Sequence, residues 1–223
     1  MNSLVSIEAL FDLSHTAAAP LFQRLTYPWE ALPEISHFIL ELGKTLSPQE
    51  YEQREETVWI SKSAQVFPSA YIAGPTIIGP NSEVRHGAFI RGSALVGAGC
   101  VVGNSTELKN VILFDQVQVP HYNYVGDSIL GYRSHMGAGS ITSNVKADKT
   151  LVVVKAEGQQ IATGLKKFGA ILGDQVEIGC NSVLNPGTVV GRNSNVYPLS
   201  MVRGYVKANS IYKYAGEIAR KQE

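Results

Sequence analysis

The chain is poor in several things. It has two cysteines, Cys100 and Cys180, too few for a disulfide framework, and a reducing cytoplasm is the expected home. It has no apolar run near the ~18 residues a membrane span needs, so no membrane partner is expected. The opening MNSLVSIEALFDL lacks a basic segment and a small-residue cleavage site, so no signal peptide is read. It has no excess charge: 19 Lys and Arg stand against 19 Asp and Glu. A nucleic-acid partner needs a basic stripe against the phosphates, and the cations here are scattered. Apolar residues make up 44%, so a large core is affordable.

Glycine and six-residue regularity are abundant. From Ile78 to Glu107 the chain reads IGPNSE, VRHGAF, IRGSAL, VGAGCV, VGNSTE. Each block opens on an aliphatic residue and has a small or short polar residue in its fifth place. The first places run Ile60, Val66, Ile72, Ile78, Val84, Ile90, Val96, Val102 and Leu108. After one short block, 108–112, they continue at Leu113, Val119 and Val125. A second short block, 125–129, leads to Leu130 and Met136. After an interruption come Leu172, Ile178, Leu184, Val190, Val196 and Val202. Short strands with an inward aliphatic and a small inward residue wrap a narrow prism, with Gly, Asn or Asp turning the corners. Coils stack at the strand spacing, giving a β-helix of three blocks per coil.

The expected organisation is a helical N-terminal appendage at 1–57, a β-helix at 58–207 and a tail at 208–223. In the appendage Ile35, Phe38, Ile39 and Leu42 have the amphipathic spacing of a helix, with Pro33 suited to its first turn and Gly43 to its end. Residues 143–171 break the period and read as a protruding loop, with two short strands around Glu157-Gly158. The tail ends in GEIARKQE, a predicted short helix.

Counting every third block from Ile60 stacks Arg85 and His86, then Glu107, then His121 and Tyr124 on one face. An imidazole titrates near neutrality and suits a general base. His121 is the candidate, with Glu107 as the carboxylate that holds its ring. A surface histidine paired to Glu107 without a catalytic role fits the same spacing. The two short blocks make the prism irregular beside His121. Cys100 falls in the inward small place and reads as core, while Cys180 sits at a corner.

The blocks resemble the hexapeptide-repeat family, whose fold is a left-handed parallel β-helix of triangular section. The segments IGPNSEVRHGA, VGNSTELK, HYNYVGD and MGAGSITSN resemble the acetyltransferase half of bacterial bifunctional N-acetylglucosamine-1-phosphate uridylyltransferase/glucosamine-1-phosphate acetyltransferases. The resemblance implies an acetyl-CoA-dependent N-acetyltransferase that acts on an amino-sugar phosphate as a homotrimer. It makes His121 the base, with Glu107 beside it. Arg85, Lys109, Tyr124 and the loop residue Lys149 would hold the acceptor, with His135 and Asn144 at further acceptor positions. His135 stands where the family has asparagine, and Asn144-Val145 where it has asparagine-tyrosine, which leaves the sugar open. Asn123 or backbone amides are candidate oxyanion donors. The segment Thr163–Tyr197, with FDL and PWEAL, is similar to the C-terminal part of fused archaeal-type sugar-1-phosphate nucleotidyltransferases.

No Gly-rich nucleotide signature is present, so nucleotidyl transfer by this chain alone is not expected. Lys166, Lys167, Arg192, Arg203 and Lys207 are available to the donor's phosphates, and the sequence assigns none of them. Some hexapeptide trimers carry a three-histidine zinc site. His86 and His121 share a place two coils apart, but Gly126 stands where the closely spaced third histidine belongs, so no metal is expected. The alternative from another class is a non-catalytic trimeric scaffold for a separate nucleotidyltransferase, docked through the N-terminal helices.

Overall fold

The computed structural model describes residues 3–213 and 218–220. From Val58 onward the chain winds as a left-handed parallel β-helix with three faces. The first face holds Val58–Ser61, Thr76–Ile78, Ala94–Val96, residues 111–113 and 128–130, Ala170–Leu172, Thr188–Val190 and Tyr205–Val206. The second runs from Gln65–Val66 through Glu83–Val84, Val101–Asn104, Gln118–His121 and His135–Met136 to Ser210–Tyr212. The third runs from Tyr71–Ile72 through Phe89–Ile90, residues 107–109 and 124–126, Ile141–Thr142 and Val183–Leu184 to Met201–Val202.

The first-place aliphatics point inward. Ile78, Val96, Leu113, Leu130, Leu172 and Val190 stack in one buried line. Many corners are turned by left-handed residues, among them Asn81, Ser105, Asn110, Tyr122 and Asp127. Such corners cost roughly 1–2 kcal/mol each for a side chain, and the stacked ladder holds them. The two short blocks behave differently from the rest. Glu107–Leu113 and Tyr124–Leu130 each run unbroken from the third face to the first, with Asn110 (φ 54) and Asp127 (φ 48) at the bend.

The first face is apolar on its outer side too. Trp59, Ile77, Leu95, Ile112, Ile129, Ile171 and Val189 align across seven coils, and all are buried. A sheet with both sides apolar needs a cover, and the N-terminal segment supplies it. Phe11 and Phe22 close on Phe114 at 4.8 and 5.6 Å between ring centroids, and Trp29 meets Phe168 at 5.9 Å. Asp115 N–H donates to His15 O and Asp174 N–H to Leu10 O, both at 3.0 Å. The appendage therefore packs on its own prism. Ile112→Val is expected to cost about 1 kcal/mol, because the cover cannot fully collapse on the missing methyl; a urea midpoint reads the loss.

Several boundaries differ from expectation. The long helix is Ile35–Thr45, with Glu34 as its N-cap, so Pro33 precedes it. Gly43 lies inside, where a Cβ would stand 2.5 Å from the Trp59 ring. That glycine serves close packing, not termination. The appendage is not helical to residue 57: Tyr51–Glu55 is a strand antiparallel to Val58–Ser61. The solenoid does not stop at 207, because Ser210–Tyr212 still pairs with the coil below. Residues 218–220 of the predicted C-terminal helix form a strand antiparallel to Ser210–Tyr212, which covers the end of that sheet. The rest of that segment, 216–217 and 221–223, lies outside the described residues.

Residues 143–171 do leave the wall. Val153–Ala156 and Gln159–Ala162 form a hairpin turned by Glu157 (φ 46) and Gly158 (φ 77), the conformation a two-residue turn needs. Among the described residues no helix is long and apolar enough to cross a membrane.

Candidate functional site

At the bend between the third and first faces stands Asp127, which is 3% exposed. Its carboxylate collects donors. Lys109 Nζ lies 3.1 Å from both oxygens, and Asn110 Nδ2 is 3.0 Å from Oδ1. Asn144 Nδ2 is 2.5 Å from Oδ2 and also donates to the Tyr124 hydroxyl at 3.2 Å. Asn110 donates in addition to Leu32 O at 3.2 Å, which ties the N-terminal cover to the cluster. Burial, then the negative charges of Asp127 and Glu107, push the Tyr124 hydroxyl above its ordinary value. It therefore keeps its proton and remains a donor. The Tyr124 ring lies over Gly126, where a Cβ would sit 2.5 Å from the hydroxyl oxygen.

The loop is rooted in the same cluster. Phe168 N–H donates to Asn144 O and Gly169 N–H to Asp127 O. Glu107, one coil before Tyr124 in the ladder, is bonded to Arg91 at 2.7 Å. That contact raises the arginine pKa still further.

His121 ends the strand Gln118–His121, at the edge shared by the second and third faces. Its backbone N–H is held by Asn123 Oδ1 at 3.1 Å. The residue is exposed, and its ring has no hydrogen bond or ion pair among the described residues. The next residue, Tyr122, turns the corner with φ 51, and Tyr124 follows on the third face. The edge below carries Asn104 and His86. The edge above carries Ala138 and Gly139, then Cys180 and Asn181.

The structure thus gathers Glu107, Lys109, Tyr124 and Asn144 on the third face and puts His121 at its edge. The expectation that Arg85 and His86 share a wall with Glu107 and Tyr124 fails. The corner falls before the sixth place of each block, so Glu107 and Tyr124 open the next strand. Arg85 stays on the second face, bonded to Glu83 at 2.9 Å. His86 bonds Ser69 Oγ at 3.1 Å. His135 is also on the second face, 2.8 Å from Glu177. Among the described residues Glu107 does not bond His121; its Oε1 accepts from Arg91 instead. Asn123 is no oxyanion donor: it is buried, and its amide donates to Gly137 O at 2.9 Å and Ser140 O at 3.1 Å. Lys149 stands on the exposed loop with φ 57.

Asp127, Asn110 and Arg91 were missed by sequence reasoning. The signal for the first two was present, since each falls in one of the blocks that drop a residue. Among the described residues no group of three His, Cys, Asp or Glu lies close enough to hold a metal.

The two thiols differ in environment. Cys100 is buried, donates to Phe114 O, and burial pushes its pKa up to about 12; Cys180 is exposed. An aromatic disulfide reagent is expected to titrate one thiol in the native chain and both in guanidinium. Absorbance of the released thiolate reads the count.

A family model described as the GMPPB C-terminal domain matches residues 72–191. A bifunctional protein GlmU of Methanococcus maripaludis is 33% identical over 190 residues, covering 84% of this chain and 46% of the relative. A bifunctional sugar-1-phosphate nucleotidylyltransferase/acetyltransferase of Sulfurisphaera tokodaii is 31% identical over 135 residues, covering 60% of this chain and 32% of the relative. The chain spans less than half the length of these curated relatives. Among solved structures, a UDP-N-acetylglucosamine acyltransferase from Campylobacter jejuni is 13% identical with a TM-score of 0.42, covering 70% of this chain and 69% of the other. The match over residues 72–191 takes in more than half of the chain, which therefore belongs to the family of the GMPPB C-terminal domain.

Proposed function

We propose that the chain is an acetyl-CoA-dependent N-acetyltransferase whose acceptor is an amino-sugar phosphate such as glucosamine 1-phosphate. The observation that carries the reading is the unengaged His121 ring, three residues before Tyr124 and its hydrogen-bonded cluster. Among the relatives, the Sulfurisphaera protein is described as an acetyltransferase as well as a nucleotidylyltransferase.

In this reading Tyr124 donates to the sugar and Lys109 presents its remaining N–H groups. The acceptor amine attacks the thioester carbon as His121 takes the amine proton; the tetrahedral intermediate then breaks its C–S bond, and the departing sulfur takes that proton from His121 to leave as the thiol of coenzyme A. The short residues Ala138 and Gly139 beside His121 leave room for a thin thioester arm along the edge. Asn144 orients the Tyr124 hydroxyl, and Lys149 reaches the acceptor from the loop.

The working unit is a homotrimer. The third face exposes Tyr71 (62%), Phe89 (41%) and Met201 (66%) in one line. Exposed apolar side chains at both ends of one face, with Glu107 and Tyr124 between them, suit a protein neighbour along that face. The proposed acceptor residues are divided between the second and third faces. A neighbouring copy's second face, bearing its Arg85 and His135, completes the site.

Thiol release from acetyl-CoA, with glucosamine 1-phosphate and galactosamine 1-phosphate as acceptors, tests the proposal. Release with either is the expected result. No release with either acceptor, together with tight binding of a separate nucleotidyltransferase, would leave the non-catalytic scaffold as the function.

A further inference from the structure

The segment PWEAL, residues 28–32, lies in the N-terminal cover, outside the groups proposed to react. In the fold it is a short 3₁₀ helix, Pro28–Ala31, closed by Leu32. Its shape is fixed locally. The Glu30 carboxylate accepts from Thr26 N–H at 2.8 Å and Tyr27 N–H at 2.9 Å, and the Tyr27 and Trp29 rings stack at 4.6 Å. Two separate lines run from this rigid turn to the Tyr124 cluster. In the first, Leu32 O accepts from Asn110 Nδ2 at 3.2 Å, and the same amide donates to Asp127 Oδ1 at 3.0 Å. In the second, the Trp29 ring meets the Phe168 ring at 5.9 Å, both residues being buried. Phe168 N–H donates to Asn144 O at 2.9 Å, and Asn144 Nδ2 donates to the Tyr124 hydroxyl at 3.2 Å. Gly169, next in the chain, lies so close to the wall that a Cβ would stand 2.3 Å from Gly126 O and 2.4 Å from Ser128 Oγ. The root of the loop is thus held between the Trp29 ring and the strand Tyr124–Leu130.

We infer that Trp29 and Leu32 are positioning residues for the acceptor, a role that rests on the acceptor reading above. Trp29 acts through Phe168 on Asn144 and so on the Tyr124 hydroxyl. Leu32 O acts through Asn110 on the carboxylate that faces Lys109. Neither residue touches a reactant. The physical need is plain. Asn144 donates to the Tyr124 oxygen, which leaves the phenolic proton to be donated elsewhere. Asn144 stands where the loop leaves the wall, so without an anchor it would share the freedom of a long excursion. A misplacement of about 1 Å costs up to about 10²-fold in a site that depends on orientation. His121 lies outside both lines, since its backbone is held by Asn123. PWEAL therefore governs how tightly the acceptor is held and not how the proton is taken. The segment is separated in sequence from every residue that it positions, and the fold of the cover over the first face is what brings it there.

Variants of the full chain test this. Trp29→Leu removes the ring but keeps apolar bulk, and Trp29→Phe restores a ring. Asn110→Gly cuts the other line at a corner (φ 54) that glycine takes without strain. Phe22→Leu is the control, a buried cover residue whose ring meets Phe11 and Phe114. Calorimetry reads binding of glucosamine 1-phosphate and galactosamine 1-phosphate, thiol release reads KM and kcat, and hydrogen exchange reads the Phe168 and Gly169 amides. In Trp29→Leu and Asn110→Gly the acceptor is expected to bind at least about fivefold more weakly, the worth of one hydrogen bond. The acceptor KM should rise in step while kcat at saturating acceptor holds. The two amides should exchange faster in Trp29→Leu, and Trp29→Phe should recover acceptor binding. Phe22→Leu should lower the unfolding midpoint and bind acceptor as wild type does. Wild-type acceptor affinity in Trp29→Leu, or an equal loss in Phe22→Leu, overturns the positioning role. A wild type that binds neither sugar phosphate overturns the acceptor reading instead. Amide exchange then decides by itself whether PWEAL holds the loop root: faster exchange in Trp29→Leu supports that hold and unchanged exchange overturns it.

Discussion

Replacing His121 with alanine is expected to lower kcat by about 10²–10⁴-fold, the usual contribution of a positioned general base. The imidazole is exposed and bonds to nothing among the described residues, so its removal opens no cavity and strands no partner. The unfolding midpoint should therefore stay at the wild-type value. KM for acetyl-CoA and for the acceptor should change little, because the proton is taken only as the amine attacks. Steady-state thiol release with a parallel urea titration measures all of this. Turnover unchanged in His121→Ala would remove the base assignment and leave the transferase class standing. A fall in kcat together with a fall in stability would point to a structural part for the ring.

The second large effect lies at Asp127. Asp127→Ala leaves Lys109 beside an apolar wall and deprives Asn110 and Asn144 of an acceptor. Removing one partner of a buried ion pair costs about 3–5 kcal/mol. Lys109 keeps 27% of its side chain exposed, so a loss near the lower figure is expected, read from the denaturant midpoint. The same change frees Asn144, and with it the Tyr124 hydroxyl and the root of the loop. KM for the amino-sugar phosphate should then rise roughly tenfold or more, as expected for losing hydrogen bonds made with a charged group. Asp127→Asn separates charge from shape: it retains an acceptor oxygen for one amide but cannot balance Lys109. A variant as stable and as tight for acceptor as wild type would show that the cluster is incidental.

The site was legible in part, and the boundary has a physical cause. Counting sixes brought His121, Glu107 and Tyr124 into one neighbourhood, because residues separated by one coil must stack, while Lys109 was named through the family resemblance. Counting also marked the two short blocks. It gave the wrong face for Glu107 and Tyr124 and the wrong partner for Glu107, because the repeat fixes which residues are neighbours along the prism and not where the corner cuts the block. Placing that corner one residue late put second-face and third-face side chains on one wall. Asp127 escaped notice for a related reason. An aspartate at a turn is ordinary in sequence, and its burial follows from Lys109, Asn110 and Asn144, which close over it from the coil below and the root of the loop.

The helical cover shows the same division. The apolar triplets on the first face, such as Ala94–Val96 and Ala170–Leu172, are visible in the sequence. Their outer residues could have faced a neighbouring chain as readily as a segment of their own. The observed ring contacts and the hydrogen bonds from Asp115 and Asp174 decided for the latter.

By itself the sequence determined the β-helix, its three-block coil and the residues that line its interior, since a strict six-residue period admits few backbones that bury every first-place aliphatic. Tertiary structure alone decided which charges cancel and which stay free. Arg91, Arg85 and Lys109 are quenched by carboxylates from the same strand or the coil next to it. Lys155 and Arg203, 48 positions apart, line one groove between the loop hairpin and the wall, and neither is in an ion pair among the described residues. Charge is a property of each residue, but its neutralisation depends on distance, and distance across a fold is not written in any local stretch of chain.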